Sequence, residues 1–391
     1  MSPARVRRVS QGATMQKSYR VWAFLAALLS AGQALSQSIV IGVSTPVTGP
    51  AAVASEWELW GVNLALEEVN AAGGVLGRKV EIIVLDNKCN PSEGVNVANK
   101  LVEAKVVAII GSHCSSAHLA AMPIIKDANI PMITGIASNP QISERSGVGG
   151  NEWAFRINAS DKGMMDALGA YLGDKKIFKT VAIVGEDTDF GRGGAAAFKA
   201  VAEKAGITIV STDFHPQNAP DYTSILTRLQ QRRPDGIAMF SVGGDAINFL
   251  RQAMQLGVRI PYTGRAELGG RNMQIIEAGG MEGSISAWTY NHEIDTPSNK
   301  AFADKIMAKY KSTPYLQTWG SYDSFRVIIQ AIKEAGTTDT TAVRDAMKKL
   351  KFTTVYGKEV TFDDHNQAGR FVILQTVKNK KVTVADIVEV K

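Results

Sequence analysis

The sequence predicts an α/β protein with two doubly wound parallel-sheet lobes joined by a three-stranded hinge. Short apolar runs typical of buried strands alternate with amphipathic helical segments along most of the chain. This alternation is typical of parallel sheets that are covered by helices on both faces. Two such series follow one another, and removing a leader of 36 residues from the 391 leaves about 355, enough for two domains with substantial cores.

The first series contains four strand-like runs. Each is short, rich in Val and Ile, and followed by a segment with helical periodicity. Strands are therefore predicted at 39–44, 80–85, 106–110 and 131–134, with helices at 56–70 and 91–104.

The second series begins after Asn158 and repeats the pattern. The helices that come after Ser284 are more than one small sheet could use, so we expect the chain to return to the first lobe and to cross once more near Asn366. Predicted strands lie at 181–185, 207–211, 236–241, 371–376 and 382–388, and predicted helices at 164–172, 194–205, 222–231, 246–256, 298–311, 319–335 and 341–350. The predicted domains are a leader at 1–36, a first lobe at 37–157 and 287–366, and a second lobe at 158–286 and 367–391.

Residues 1–36 are typical of a secretory signal segment. They contain five cations and no acid, then an apolar stretch at 21–29 that is too short to span a membrane, and a small-residue end at Ala34-Leu35-Ser36. A buried N-terminal helix is the alternative, and Met15 competes with Met1 as the true start. No cysteine follows the cleavage region, so we expect a freely diffusing periplasmic protein without a lipid anchor.

The positive net charge belongs to this leader. Subtracting its five cations from the formal charge of +6 leaves about +1, which removes the only support for nucleic-acid binding. No phosphate-binding loop, dinucleotide fingerprint, nucleophile elbow or zinc-protease motif occurs in the chain. His113 and His118 are five residues apart and fall on different faces of a helix, so a shared metal is not expected. Nothing in these patterns demands an enzyme or a cofactor, and we expect neither.

Cys89 and Cys114 are the only cysteines, and each follows a strand-like run. We expect both at the carboxyl ends of neighbouring strands in a βαβ unit, where open α/β sheets bind ligands. Export favours a disulfide between them, and two separate reduced thiols are the alternative. Ser115 and Ser116 follow at once, so hydroxyls and free backbone amides at a helix start offer a site for a carboxylate. His113 lies at the same cleft, as a capping residue or as a ligand contact.

The loop at 185–191 follows a strand and precedes a helix in the second series, as Ser115 does in the first. We interpret it as the facing edge of the cleft, with Phe190 as an apolar wall and Asp189 as the helix cap. A capped turn without a ligand role is the alternative. Trp60 is expected in the core, and Trp57 in the core or facing the cleft.

Seven segments give the chain a family resemblance. They are Thr48-Gly49-Pro50, the stretches at 70–78, 86–91, 98–100 and 130–134, Cys114-Ser115-Ser116, and the stretch at 250–253. With them the chain resembles, over essentially its whole mature length, the periplasmic leucine/isoleucine/valine-binding proteins of ABC importers, which are type I periplasmic solute-binding proteins. The resemblance implies a Cys89–Cys114 disulfide, a membrane-embedded ABC permease as partner, and a monomer.

The resemblance also implies roles for particular residues. Ser115 and Ser138 would hold the α-carboxylate of a solute, while the Ile136 carbonyl and the Ser138 hydroxyl, on either side of Ala137, would meet an α-ammonium group. The glutamate expected to pair with the ammonium falls on Ala266, with Glu267 one residue along. Two expected cleft aromatics fall on Ala54 and Val242, which would enlarge the pocket.

The sequence therefore predicts a solute-binding protein whose lobes close on a small carboxylate and deliver it to a permease. Branched-chain or related amino acids are expected from the resemblance. An aromatic or other organic acid without an ammonium group is the alternative that follows from the altered contacts. Two hypotheses from other functional classes are a sensory protein that docks on a receptor and an exported hydrolase.

Overall fold

The strands of the first series form one parallel sheet in the computed structural model, which describes residues 37–49 and 51–390. The predicted leader lies outside the described residues. The sheet order is β2-β1-β3-β4-β5. The strands are β1 (Ile39–Thr45), β2 (Val80–Asp86), β3 (Ala108–Ile110), β4 (Met132–Thr134) and β5 (Ala154–Arg156).

This strand order corrects one prediction. β1 pairs with both β2 and β3, so the strands that precede Cys89 and Cys114 are not neighbours. The predicted disulfide is confirmed, with the two Cα atoms 5.3 Å apart. It therefore spans the carboxyl end of β1, the strand that lies between β2 and β3. β5 was not predicted, because Ala154-Phe155-Arg156 contains no Val or Ile and lacks the apolar run that marked the equally short β3 and β4.

Helices cover both faces of the first sheet. They include α1 (Ala52–Ala71), α2 (Pro91–Glu103), α3 (Ser115–Asp127) and the short α4 (Gln141–Glu144). Close packing depends on two glycines: a Cβ on Gly42 of β1 would lie 2.8 Å from the Leu101 side chain, and a Cβ on Gly61 of α1 would lie 2.1 Å from the Thr318 carbonyl.

The second parallel sheet has the order β7-β6-β8-β9. The edge strand β9 was not predicted, because its three residues, Tyr262-Thr263-Gly264, include no Val or Ile. The elements are α5 (Asp161–Lys175), β6 (Thr180–Glu186), α6 (Asp189–Lys204), β7 (Thr208–His215), α7 (Thr223–Arg232), β8 (Gly236–Phe240), α8 (Gly243–Gln255), β9 (Tyr262–Gly264) and, after a 3₁₀ turn, α9 (Met273–Glu277).

The remaining chain adds helices to the first sheet and strands beside the second. Residues of the helices that follow residue 296 share one core with β1 and α1, whereas Val372 and Leu374 pack in a core with β6 and α5. The last strands are antiparallel, in a separate sheet of order β10-β13-β14, because a tight hairpin joins β13 to β14. These elements are β10 (Ile285–Trp288), α10 (Pro297–Tyr310), α11 (Leu316–Ala335), α12 (Thr340–Lys349), β11 (Lys351–Thr353), β12 (Glu359–Thr361), β13 (Phe371–Lys378) and β14 (Lys381–Glu389).

The predicted fold class is confirmed: two parallel sheets are covered by helices, and the chain passes repeatedly between them. The domain boundaries stay a prediction. Within the described residues, no helix has both the length and the apolar character that crossing a bilayer requires.

Candidate ligand-binding site

A cavity lies where the carboxyl ends of the strands of the two parallel sheets face each other. Its walls enclose about 840 Å³ of space that is free of protein atoms and partly open to solvent. From the first sheet come the residues after β3 and β4, and from the second sheet the residues after β6, β8 and β9. Of the residues predicted for the site, the cavity is lined by Ala54, Trp57, Cys89, His113, Cys114, Ser115, Ser116, Ile136, Ser138, Phe190, Val242 and Glu267.

Two predicted site residues do not line the cavity. Ala137 packs in the apolar core around α2 and α3, and Ala266 is fully buried in the core of the second sheet. The carbonyl of Ala266 accepts a hydrogen bond from Trp288 Nε1 at 3.0 Å. At the place where the resemblance led us to expect a glutamate, the acidic side chain that borders the cavity is therefore Glu267.

The amino end of α3 opens into the cavity without a side-chain cap. The residue before the helix is Cys114, whose sulfur is committed to the disulfide and makes no capping hydrogen bond. The first amides of a helix have no partner within it, and the positive end of the helix dipole lies at the same place. Ser115 and Ser116 therefore stand at a local concentration of hydrogen-bond donors.

Three hydroxyl groups complete this donor cluster, and each already accepts a hydrogen bond from the protein. Ser115 Oγ accepts from the Asn139 amide at 3.2 Å, and Ser116 Oγ accepts from the Asp189 amide at 3.1 Å. Ser138 Oγ accepts from Arg265 Nη1 at 3.0 Å. Within the described residues none of the three hydroxyl protons is donated to an acceptor, so all three can serve a ligand.

Arg265 is a site residue that sequence reasoning missed. It follows β9, lines the cavity and is only 4% exposed. Its Nη1 lies 2.5 Å from Asp161 Oδ1. The Trp288 and Phe190 ring centroids lie 4.8 and 5.8 Å from the guanidinium carbon. Its place directly after an edge strand was the available signal, but that strand was not predicted.

Glu186, at the end of β6, is a buried carboxyl group at the cavity. It accepts a hydrogen bond from the Val242 amide at 2.8 Å. Burial raises the pKa of Glu186 to about 8, because desolvation disfavours the charged form. Two carboxyl groups therefore border the cavity, Glu186 and Glu267. Of these, Glu186 is largely protonated at neutral pH.

His113 lies beside a buried carboxyl group that the sequence analysis did not single out. Its Nδ1 lies 3.0 Å from Glu58 Oε1 in α1, and Glu58 Oε2 accepts a hydrogen bond from Thr45 Oγ1 at 2.5 Å. His118 points elsewhere: it is fully buried, and desolvation lowers its pKa to about 3. Among the described residues no group of His, Cys, Asp and Glu has the arrangement of a metal site.

Aromatic rings form the apolar walls of the cavity. Trp57 lines it and packs against Tyr315 with the ring centroids 4.2 Å apart, and Phe190 and Trp288 line it close to the Arg265 guanidinium. Trp60 stacks on Tyr310 and packs against the core while remaining partly exposed. The cavity therefore combines polar donors at one end with broad apolar surfaces.

The segment at 185–191 borders the cleft as predicted, and Phe190 lines the cavity. The predicted cap of the helix that begins in this segment was wrong. Thr188 is the N-cap of α6, and its side chain accepts from the Gly191 amide. Asp189 is instead the first residue of the helix, and its backbone is held from the first sheet. Asn139 Nδ2 donates to the Asp189 carbonyl while Ser116 Oγ accepts from the Asp189 amide. These bonds join the two sheets across the mouth of the cavity.

Comparison with known proteins agrees with this architecture. The family model described as "Periplasmic binding protein" matches residues 38–381. The chain belongs to the periplasmic binding protein family. This membership confirms the fold and the family resemblance described from the sequence.

Relatives of this binding protein carry names from the branched-chain group. The leucine-, isoleucine-, valine-, threonine- and alanine-binding protein of Pseudomonas aeruginosa is 29% identical over 339 residues, covering 86% of this chain and 88% of that protein. The branched-chain amino acid transporter substrate binding protein LivJ of Streptococcus pneumoniae, solved with isoleucine, is 25% identical with a TM-score of 0.79, covering 90% of this chain and all of that one. A solute binding protein from R. palustris, solved with benzoate, has a TM-score of 0.81 at 20% identity, covering 90% and 97% of the two chains, and shows the fold alone.

Proposed function

We propose that this protein is a periplasmic solute-binding protein of an ABC importer, and that it captures a branched-chain or related amino acid between its two sheets. The observation that carries the proposal is the uncapped amino end of α3. There the hydroxyls of Ser115, Ser116 and Ser138 have their acceptor sides occupied and their protons undonated among the described residues. Such a cluster suits a carboxylate, because helix amides and hydroxyl protons stabilise negative charge together.

Other parts of the cavity lining suit the rest of an amino acid. The Glu267 side chain borders the cavity as an acidic group for an α-ammonium, and Trp57 and Ile247 line it as apolar surfaces. An amino acid with an apolar side chain presents the matching groups: a carboxylate, an ammonium and a hydrocarbon. The name of the 29% identical relative includes leucine, isoleucine and valine, which supports the same class.

An aromatic carboxylate is the second candidate. Three aromatic side chains border the cavity, namely Trp57, Phe190 and Trp288. Ala266, where an ammonium-pairing glutamate was expected, is an apolar residue with no access to the cavity. A flat ring with a carboxylate could use the serine cluster and the aromatic walls without any acidic partner.

Matched solutes separate the two candidates. We would titrate protein refolded free of endogenous ligand with L-leucine, L-isoleucine and L-valine, with their 2-oxo acid counterparts and with benzoate, by isothermal calorimetry. An amino acid should bind at least tenfold more tightly than its 2-oxo acid, and Glu267→Gln should remove most of that preference. Glu389→Gln, an exposed acid far along the chain, is the control.

Each other outcome of these titrations has a defined meaning. Tighter binding of benzoate or of the 2-oxo acids would establish the second candidate. Absence of binding by every solute in the set would overturn the proposal.

The cellular setting is part of the same proposal. We propose export to the periplasm without a lipid anchor, a monomeric protein with no catalytic turnover, and a membrane-embedded permease as the docking partner. A chemoreceptor is the alternative partner. Solute-dependent stimulation of ATP hydrolysis by the reconstituted permease would support the importer role, and solute-dependent docking on a receptor alone would contradict it.

A further inference from the structure

We propose that Arg265 supplies the positive charge of the carboxylate site, donating from its Nε to the solute carboxylate beside Ser138. This inference rests on the proposed function, since it concerns how the same cavity recognises its solute. It goes further than the proposed function because a cation that follows a strand of the second sheet, Arg265, would bind the same carboxylate as the serines of the first sheet.

The position of Arg265 within the donor cluster is the first support. Its Nη1 donates to Ser138 Oγ at 3.0 Å. The residue after Ser138 is Asn139, whose amide donates to Ser115 Oγ at 3.2 Å. Arg265 is therefore joined through one serine and one backbone step to the amino end of α3, and it belongs to the same group of donors.

An unpartnered donor is the second support. Arg265 is 96% buried, being 4% exposed, and its Nε has no hydrogen-bond partner among the described residues. A buried donor without an acceptor is costly, so such a group in a cavity wall indicates a bound acceptor. The cavity is the space that the side chain borders.

The surroundings of the guanidinium restrict where that acceptor can lie. Trp288 and Phe190 stand over it, with ring centroids 4.8 and 5.8 Å from its central carbon. Asp161 Oδ1 accepts a hydrogen bond from Arg265 Nη1 at 2.5 Å. With Nη1 engaged and aromatic rings close to the guanidinium, the edge formed by Nε and Nη2 is the part left for a planar carboxylate, since neither nitrogen has a hydrogen-bond partner among the described residues.

Asp161 orients Arg265 rather than competing for the solute. The Asp161 side chain is fully buried and does not line the cavity, and its second oxygen has no partner among the described residues. It therefore leaves Nε uncovered while holding the guanidinium in place. We assign Asp161 as a positioning residue and Arg265 as a specificity-determining residue.

The consequence is a preference for ionised carboxylates. A primary amide of the same shape brings no negative charge, so it loses the charge-assisted bond to Arg265 while keeping the rest of the contacts. We therefore expect the protein to reject amides and esters of its own solute, and expect Arg265 to account for much of that rejection.

The test uses acid and amide pairs, L-leucine with L-leucinamide and benzoate with benzamide, titrated calorimetrically. Wild-type protein should bind the preferred acid about 10- to 100-fold more tightly than its amide. The double variant Arg265→Gln/Asp161→Asn removes both buried charges together, and its acid-to-amide ratio should fall below about 3. Arg259→Gln, an exposed arginine in the same part of the chain, should retain the wild-type ratio.

Two further measurements keep the outcome clear. Circular dichroism and thermal melts verify that the double variant folds. If it does not, Arg265→Met/Asp161→Leu serves instead, since it removes the same two buried charges and keeps apolar volume in their place, and its ratio should also fall below about 3. A folded variant with the wild-type ratio would overturn the role of Arg265 while leaving the proposed function intact. Failure of wild-type protein to bind either acid would overturn both.

Discussion

The proposed carboxylate site depends on serine hydroxyls whose orientation is set by neighbouring donors. Because Asn139, Asp189 and Arg265 each donate to one hydroxyl, the serine protons turn away from these partners. Asn139 belongs to the same sheet as Ser115 and orients it before a solute arrives, whereas Asp189 and Arg265 belong to the second sheet and orient Ser116 and Ser138 only in the closed form.

Replacing Ser115 or Ser138 by alanine should therefore weaken solute binding by about tenfold or more, since a hydrogen bond to a charged group contributes roughly 1.5 to 3 kcal/mol. Calorimetric titration measures the change. Ser112→Ala is the matched control, because Ser112 Oγ also accepts buried hydrogen bonds, from Asn87 and the Cys114 amide, but does not line the cavity. It should lower the melting temperature without weakening binding. Normal binding by both site variants would mean that the anion lies elsewhere.

The buried carboxyl of Glu186 should impose a pH dependence on stability. Its pKa is about 8 in the folded protein against an ordinary value of 4.5, so the folded state retains a proton that the unfolded state has lost. This contribution is complete below about pH 4.5 and disappears as the pH rises through about 8. Glu186→Gln keeps an acceptor for the Val242 amide and removes the titration.

The stability of Glu186→Gln relative to wild type should consequently increase from about pH 5 to pH 8, as measured by urea unfolding at several pH values. The control is Glu359→Gln, which replaces an exposed carboxylate. A constant difference between variant and wild type across this range would show that Glu186 does not titrate with a raised pKa.

Helix α6 is the element that carries contacts between the two sheets. Its first residue, Asp189, is held through both backbone groups by Ser116 and Asn139. One turn later Gly193 leaves room for the Asn139 side chain, since an added Cβ would lie 2.5 Å from Asn139 Nδ2. The glycine is thus required by the approach of another segment, although it lowers the intrinsic stability of the helix.

Gly193→Ala should separate these two effects. The helix gains about 1 kcal/mol of intrinsic stability, while displacement of the Asn139 amide weakens the contact that closes the cavity. We expect severalfold weaker solute binding at an equal or higher melting temperature of the unliganded protein. In an Asn139→Ala background the same substitution should have little further effect on binding, a non-additivity that shows direct coupling. Independent, additive effects would contradict the proposed contact.

At the scale of the whole molecule, we expect the two lobes to close around the cavity. The predicted crossings between lobes lie near Ile157, Ser286 and Asn366, and Gln367 bridges to Arg156 at this place. Opening would break the contacts of Asp189 with the first sheet and the bond from Arg265 to Ser138. A solute that binds groups of both sheets favours the closed form by its differential affinity.

Saturating solute should therefore reduce the radius of gyration in solution X-ray scattering. The combined Ser115→Ala/Ser138→Ala variant, at the same solute concentration, should keep the larger radius of the unliganded protein. An identical scattering profile with and without solute at saturation would argue against closure.

The sequence alone determined the fold class and the disulfide, and it placed Ser115 at the cleft, where the residue lines the cavity. Strand-like runs mark where strands end, and the carboxyl ends of parallel strands share one edge of a sheet, so Cys89, Cys114 and Ser115 could be placed at the cleft from local pattern. The family motifs added Ser138 and the region of Glu267. These inferences require only nearby residues and known connectivity.

Tertiary structure decided the strand order and the charged half of the site. β1 lies between the strands that precede the two cysteines, which no local pattern shows. Arg265 meets Ser138 and Asp161 at sequence separations of 127 and 104 residues, and Glu58 meets His113 from another helix. That Glu267 and not Ala266 borders the cavity depends on how the chain leaves the three-residue strand β9. Such pairings follow from the packing of whole elements, because distant charges are brought together only when the cores beneath them have formed.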